Sequence, residues 1–216
     1  MNREKPDINF DPSTRDELIH KFEAHNKLGR GAEIGAFKGG FSRDILDVWT
    51  GELFLIDIWN QISMEEYADR SNQTADQTML RCIESIHKDS NRCAMIRYSS
   101  RQSACFFPDE SLDFVFIDAN HKYDYVKEDI ETWYPKVRKG GLFCGHDYIT
   151  GSFLDWFADG KFCPNGIDKY LYSTVPVNAY MGEFGVNPAV NQFCYENNYK
   201  LNCTREWLGS WWVIKK

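Results

Sequence analysis

Long apolar runs are missing from this 216-residue chain. No stretch approaches the roughly 20 consecutive apolar residues of a membrane helix, so no spanning helix and no membrane partner is expected. The first residues, from Met1 to Glu17, are polar and lack an apolar core, so no secretory signal is expected either. Basic charge is also short: 25 Lys and Arg stand against 32 Asp and Glu, a formal net charge of −7. That balance excludes a general nucleic-acid binder, which would show a basic face. The one basic cluster, Lys136 to Lys139, reads as charge at a helix end. Paired CxxC spacing is absent among the seven cysteines, which predicts buried, reduced thiols in place of a disulfide frame or zinc site. The expected location is the cytoplasm, where the Asn-x-Thr triplets at Asn72 and Asn202 are chance matches. Internal repeats and low-complexity segments are lacking too.

What is present is an ordinary globular mixture, 43% hydrophobic and 26% charged, in a length that suits one domain. Short apolar runs alternate with helical stretches, the pattern of an α/β protein with a parallel sheet. Helical periodicity covers 14–26, where Leu18, Ile19 and Phe22 form the buried face. Strands are expected at 31–35, 51–59, 93–99, 112–118 and 141–147, with helices from Gly40, over 75–88 and across 124–137. A last helix near 187–198 precedes two strands, 199–204 and 210–216, which lie too close for a helical crossover and must pair as an antiparallel hairpin. The chain thus divides into an N-terminal arm and helix (1–30), a ligand-binding core (31–148), a segment of 149–186 and a terminal helix with hairpin (187–216). The third part has no periodicity but is rich in aromatics, among them Phe153, Trp156 and Tyr170. Placed after the fifth strand, it reads as a substrate lid.

Ligands of open α/β sheets sit beyond the carboxyl ends of the strands. The first strand ends in Glu33-Ile34-Gly35, and Gly39 and Gly40 follow at the start of a helix. So many residues without a Cβ suit a turn whose backbone a ligand touches. G-x-G-x-x-G is absent, which counts against a pyrophosphate clamp and a nicotinamide-dependent dehydrogenase. Asp57 ends the second strand, 22 residues beyond Gly35, the spacing at which a carboxylate meets ribose hydroxyls. The fourth strand ends at Asp118, with Asn120 and His121 just beyond, and the fifth ends at His146 and Asp147. His20, His25 and His87 are assigned to solvated surface, and Trp207, Trp211 and Trp212 to packing in the hairpin.

The run EIGAFKG resembles the E-x-G-x-x-x-G turn of class I S-adenosylmethionine-dependent methyltransferases. Residues 111–148, with FIDANHKYD and GGLFCGHDY, resemble a bacterial small-molecule O-methyltransferase family. That family includes macrolide-sugar enzymes such as macrocin O-methyltransferase and is more distantly related to catechol and caffeoyl-CoA methyltransferases. The resemblance covers about 28–148 and implies a Rossmann-like fold, a seven-stranded sheet of parallel strands closed by the C-terminal antiparallel hairpin with helices on both faces. It implies S-adenosylmethionine as cofactor, with Gly35 and Gly39 lining the methionine portion. Glu33 would support the turn or the amino group, and Ser42 would donate to the carboxylate. Asp57 would hold the ribose, and Ser99, Ser100 and Arg101 would lie near the adenine. Asp118 falls in this site as well.

Methyl transfer to a weakly nucleophilic hydroxyl requires a base or a metal. Asp118-x-x-His121 fits the pattern that supplies a metal-binding Asp and a base His in the macrolide-sugar relatives. Asp118 and Asp147 are the oxygen ligands expected for Mg²⁺ or another divalent metal, with His146 or His121 as weaker candidates. The relatives carry an acidic pair or Asp-Asn at the end of strand five. His146-Asp147-Tyr148 here removes one expected oxygen ligand and leaves metal dependence open. The expected activity is O-methylation of a small molecule, a sugar or sugar-bearing metabolite. The rival is a non-catalytic S-adenosylmethionine-binding protein, which would have no use for Asp118, His121 and Asp147. The oligomeric state is left open.

Overall fold

The computed structural model describes residues 12–23, 28–60, 74–149, 175–176, 183–206 and 208–216. Five strands pair in parallel: β1 (Arg30–Ile34), β2 (Glu52–Asp57), β3 (Cys93–Arg97), β4 (Leu112–Ile117) and β5 (Val137–Ile149). A two-residue ribbon, β6 (Val175–Pro176) with β7 (Glu183–Phe184), stands apart from the sheet. β8 (Asn202–Cys203) and β9 (Leu208–Ile214) form the expected hairpin, β9 antiparallel to β5. The sheet order is β3-β2-β1-β4-β5-β9-β8, so chain order reverses beside β1, the place where open α/β sheets leave a crevice.

Alternation along each strand explains two cores. Successive side chains of a strand point to opposite faces. Ala32, Ile34, Ile56, Val115, Ile117 and Phe143 therefore enter one cluster, under α4 (Ser100–Ala104), α5 (Tyr123–Trp133) and α6 (Val186–Glu196). Leu53, Leu55, Phe114, Phe116, Leu142 and Cys144 enter the other, under α1 (Arg15–Glu23), α2 (Gly40–Val48) and α3 (Ala75–Ile86). Helices on both faces account for β4 being buried at every position and apolar at all but Asp113. Leu18, Ile19 and Phe22 dock α1 as its periodicity predicted. Among the described residues, no helix is long and apolar enough to cross a membrane.

Several boundaries differ from the sequence reading. Helix α5 stops at Trp133 and a short 3-10 turn follows, because Pro135 cannot continue an α-helix. Strand β5 starts at Val137, earlier than expected, and thereby absorbs Arg138 and Lys139 of the basic cluster. Only Lys136 stands at a helix end, closing the 3-10 turn, where it pairs with Asp109 (2.7 Å), while Arg138 Nε donates to Asp113 Oδ1 (2.5 Å) inside the protein. The thiols are only partly as expected. Cys82, Cys144 and Cys194 are buried, Cys93 and Cys203 are half-buried, and Cys105 is exposed. His20 and His87 are on the surface, while His25 lies outside the described residues. Trp211 and Trp212 pack in the core, and the side chain of Trp207 is not among those described. The expected lid of 149–186 also falls largely outside the described residues.

Candidate active site

Parallel register lines up the strand ends. Ile34 pairs with Ile56 and Ile117, and Ile117 with Gly145. The residues just beyond these positions therefore meet at one edge. At Gly35, φ is +94° and an added Cβ would stand 1.9 Å from the Asp118 carbonyl oxygen. The first glycine is demanded by the approach of the β4 end, a contact within the protein. Gly40 is different, since nothing lies within 4 Å of its Cβ position. It opens α2 and leaves the helix start accessible, as a ligand passing over the turn requires.

Glu33 and Ser42 lie beneath this turn. Ser42 is wholly buried, and its Oγ donates to Glu33 Oε2 at 2.5 Å. Both side chains brace the β1–α2 connection from inside, so Ser42 does not face a ligand carboxylate. Burial pushes the Glu33 carboxyl up to about 8, against the opposing hydrogen bond from Ser42. Asp57 ends β2 as expected, and each of its oxygens is engaged by the backbone. Oδ2 accepts from Phe37 N–H (2.9 Å) and Oδ1 from Trp59 N–H (2.7 Å). A carboxylate has about four lone-pair sites, so these contacts do not exhaust its capacity to accept from hydroxyls. Burial raises its pKa, against the hydrogen bonds from the Trp59, Phe37 and Ile58 backbone.

Ser99 caps α4 at the end of β3 in a capping box with Gln102. Ser100 and Arg101 turn to α5 instead of the sheet edge. Ser100 Oγ accepts from Trp133 Nε1 (2.8 Å) and donates to buried Asp129, while Arg101 pairs with Glu128 (2.9 Å). Of this trio, only Ser99 sits directly at the strand end.

The ends of β4 and β5 bring Asp118, His121, His146 and Asp147 together. Asp147 Oδ2 is 2.9 Å from His121 Nε2, and its Oδ1 is 2.9 Å from His146 Nδ1. Asp118 contributes Oδ1 at 3.5 Å from His121 and Oδ2 at 3.8 Å from His146. Burial opposes charge on His121, but its hydrogen bonds to Asp118 and Asp147 and their charges outweigh this and hold its pKa well above the ordinary imidazole value. Asp147 responds in the opposite sense: burial pushes it up, yet the two imidazoles hold it below the usual carboxylate range. Asp118, His121 and Asp147 offer one ligand atom each, all within 4.8 Å of one another. Two carboxylates and an imidazole at this spacing suit a divalent cation.

Sequence reasoning named Gly40 within the glycine turn but did not single out Asp129 or Arg15; all three touch the site or its supports. Gly40 was legible in the glycine-rich turn. The other two carried no motif.

A family model described as "Methyltransferase domain" matches residues 32–148, more than half of the chain. Among solved structures, the O-methyltransferase NovP superposes with a TM-score of 0.56 at 17% identity, covering 94% of this chain and 80% of its own. TomG from Streptomyces achromogenes, an O-methyltransferase involved in tomaymycin synthesis and solved with SAM, gives 0.53 at 12% identity, covering 92% and 79%. An O-methyltransferase family protein from Burkholderia thailandensis gives 0.57 at 11% identity, covering 93% and 56%. At these identities the structures establish the fold. Among curated proteins none matches the sequence. The glycine turn and the aligned strand ends lie within the matched segment, and the chain belongs to the methyltransferase-domain family.

Proposed function

We propose that this protein is an S-adenosylmethionine-dependent O-methyltransferase acting on the hydroxyl of a small molecule, a sugar or sugar-bearing metabolite. One observation carries the reading: the open turn at Gly40 and the Asp118–His121–Asp147 group share one edge of the sheet. The cofactor, when bound, supplies a methyl group on a sulfonium whose charge vanishes as the methyl leaves. Asp57 accepts the ribose hydroxyls on its remaining lone pairs, and the backbone from Gly35 to Gly40 borders the methionine portion. His121 takes the proton of the acceptor hydroxyl. It can do so only after shedding the proton that Asp118 and Asp147 favour on its ring, and the same two carboxylates then stabilise the imidazolium that results. Asp118 and Asp147, with His121 where it serves as ligand in place of base, would hold a divalent cation such as Mg²⁺. That ion would supply charge compensation for an acceptor oxygen losing its proton.

The test is methyl transfer to a panel of sugars, catechols and hydroxylated metabolites, followed by mass spectrometry. A methylated hydroxyl product supports the reading. Binding of S-adenosylhomocysteine without transfer to any acceptor would favour the non-catalytic binding protein, and binding of NAD in its place would overturn the cofactor assignment.

A further inference from the structure

Arg15 opens α1, outside the segment that the family model matches. Its guanidinium lies over the ring of Phe41, 4.4 Å from the centroid. Phe41 is the second residue of α2, next to the open Gly40, and its ring packs on Phe116 of β4 (4.5 Å). The charge of Arg15 also acts on Glu33 at the end of β1 and on His146 at the end of β5. These relationships put the guanidinium over the carboxyl edge of the sheet, on the side of the glycine turn.

The placement is held firmly. Arg15 N–H donates to Glu206 Oε2 (3.0 Å), and Arg205 N–H donates to the Ser13 carbonyl (2.9 Å). The β8–β9 turn thus ties down the start of α1, while Leu18, Ile19 and Phe22 bury the rest of the helix. A cation presented from a docked helix is preorganised for an anion. Among the described residues, the Arg15 guanidinium has no ion-pair partner. Glu33 does not serve as one, since its carboxyl is committed to Ser42 and burial favours its neutral form.

Ser42, which the turn motif would assign to the carboxylate of the cofactor, faces inward and has no exposed surface. That recognition task falls to another residue. We infer that Arg15 binds the carboxylate of the methionine portion of S-adenosylmethionine, seated over Phe41 beside the glycine turn. The inference rests on the cofactor reading above and adds to it a cofactor-binding residue from outside the matched domain. A guanidinium forms two parallel hydrogen bonds to a carboxylate, and Phe41 orients its plane from below.

The test is calorimetric binding of two ligands to the full chain, to Arg15→Gln and to Arg15→Lys. One ligand is S-adenosylhomocysteine, the other S-adenosyl-3-thiopropylamine, which is the same molecule without its carboxylate. The parent protein should prefer the first by about 10- to 100-fold, the usual worth of a charge-assisted hydrogen bond. Arg15→Gln should lose S-adenosylhomocysteine affinity by about that factor and hold the amine within about twofold, while Arg15→Lys recovers part of the loss. An unchanged preference in Arg15→Gln would overturn the assignment. So would equal loss of both ligands, which would mean that Arg15 only secures α1. If the parent protein binds neither ligand, the cofactor reading itself fails and the role of Arg15 falls with it.

Discussion

Asp147 Oδ2 stands 2.9 Å from His121 Nε2 because β5 bulges beside it. The register with β9 shifts between Gly145 and Tyr148, and Asp147 takes φ +58°, a conformation seldom adopted by non-glycine residues. In a regular strand His146 and Asp147 would point to opposite faces. The bulge lets both reach the loop after β4, so Asp147 lies between two imidazoles. Strained backbone at the junction of four titratable groups is how a chain holds a functional geometry against its local preference.

His121→Ala should lower turnover by roughly 10²–10⁴-fold, the contribution of a positioned proton acceptor, with S-adenosylhomocysteine affinity hardly changed. Initial rates on an identified acceptor and calorimetric affinity together check this. Undiminished turnover would remove His121 from the mechanism.

Metal dependence has its own signature. A chelator should reduce activity, and Mg²⁺ or Mn²⁺ should restore it in the parent protein but in neither Asp118→Asn nor Asp147→Asn. Full activity after exhaustive chelation, with no metal found by elemental analysis, would leave the carboxylates a purely electrostatic role towards His121.

Asp57→Ala should lose most of the thermal stabilisation by S-adenosylhomocysteine, which in the parent is worth about 2.7 kcal/mol at a hundredfold excess over Kd. The ligand-free variant should also be less stable, because the Phe37 and Trp59 N–H groups lose their acceptor. The larger cost lies at buried Trp59, since an unmet buried donor costs about 1–3 kcal/mol, whereas Phe37 is exposed and its N–H can turn to water. Melting curves with and without ligand separate the two effects, and equal ligand-induced shifts in both proteins would defeat the ribose assignment.

Two neighbouring glycines should behave differently. Gly35→Ala should not fold stably, since its Cβ would collide with the Asp118 carbonyl at 1.9 Å. Gly40→Ala meets nothing within 4 Å and should keep its melting temperature, while its new methyl group impedes the cofactor. Unaltered S-adenosylhomocysteine affinity in Gly40→Ala would place the ligand elsewhere.

Glu33 makes stability depend on pH in a direction that can be stated. Its folded pKa of about 8 lies above the ordinary 4.5, so the folded state holds a proton that the unfolded state releases. Its contribution is present in full below about pH 4.5 and is lost as pH rises through about 8, by at most about 1.4 kcal/mol per pH unit. Glu33→Gln removes that slope. Urea midpoints measured between about pH 5 and 8 should shift in favour of the variant as pH rises. Parallel curves would mean that Glu33 titrates like an exposed carboxylate.

The sequence by itself determined the α/β alternation, the terminal hairpin and the positions of Asp57, Asp118, His121 and Asp147 near strand ends. These are local matters: apolar period, glycine and proline placement, and the length of chain between strands decide them. The parallel register then had to gather those ends at one edge. Tertiary structure alone decided where side chains point once regular alternation stops. The bulge at Asp147 depends on pairing with β9, and the inward turn of Ser42 depends on Glu33 being sealed beneath α2. Arg15 carries no motif; it reaches the site only because α1 is docked by its apolar face and tied to the β8–β9 turn. Ser100 and Arg101 were drawn to α5 by Asp129, Trp133 and Glu128, partners distant in sequence. Contacts between segments so far apart leave no periodic trace in the chain, and so they became visible only when it was folded.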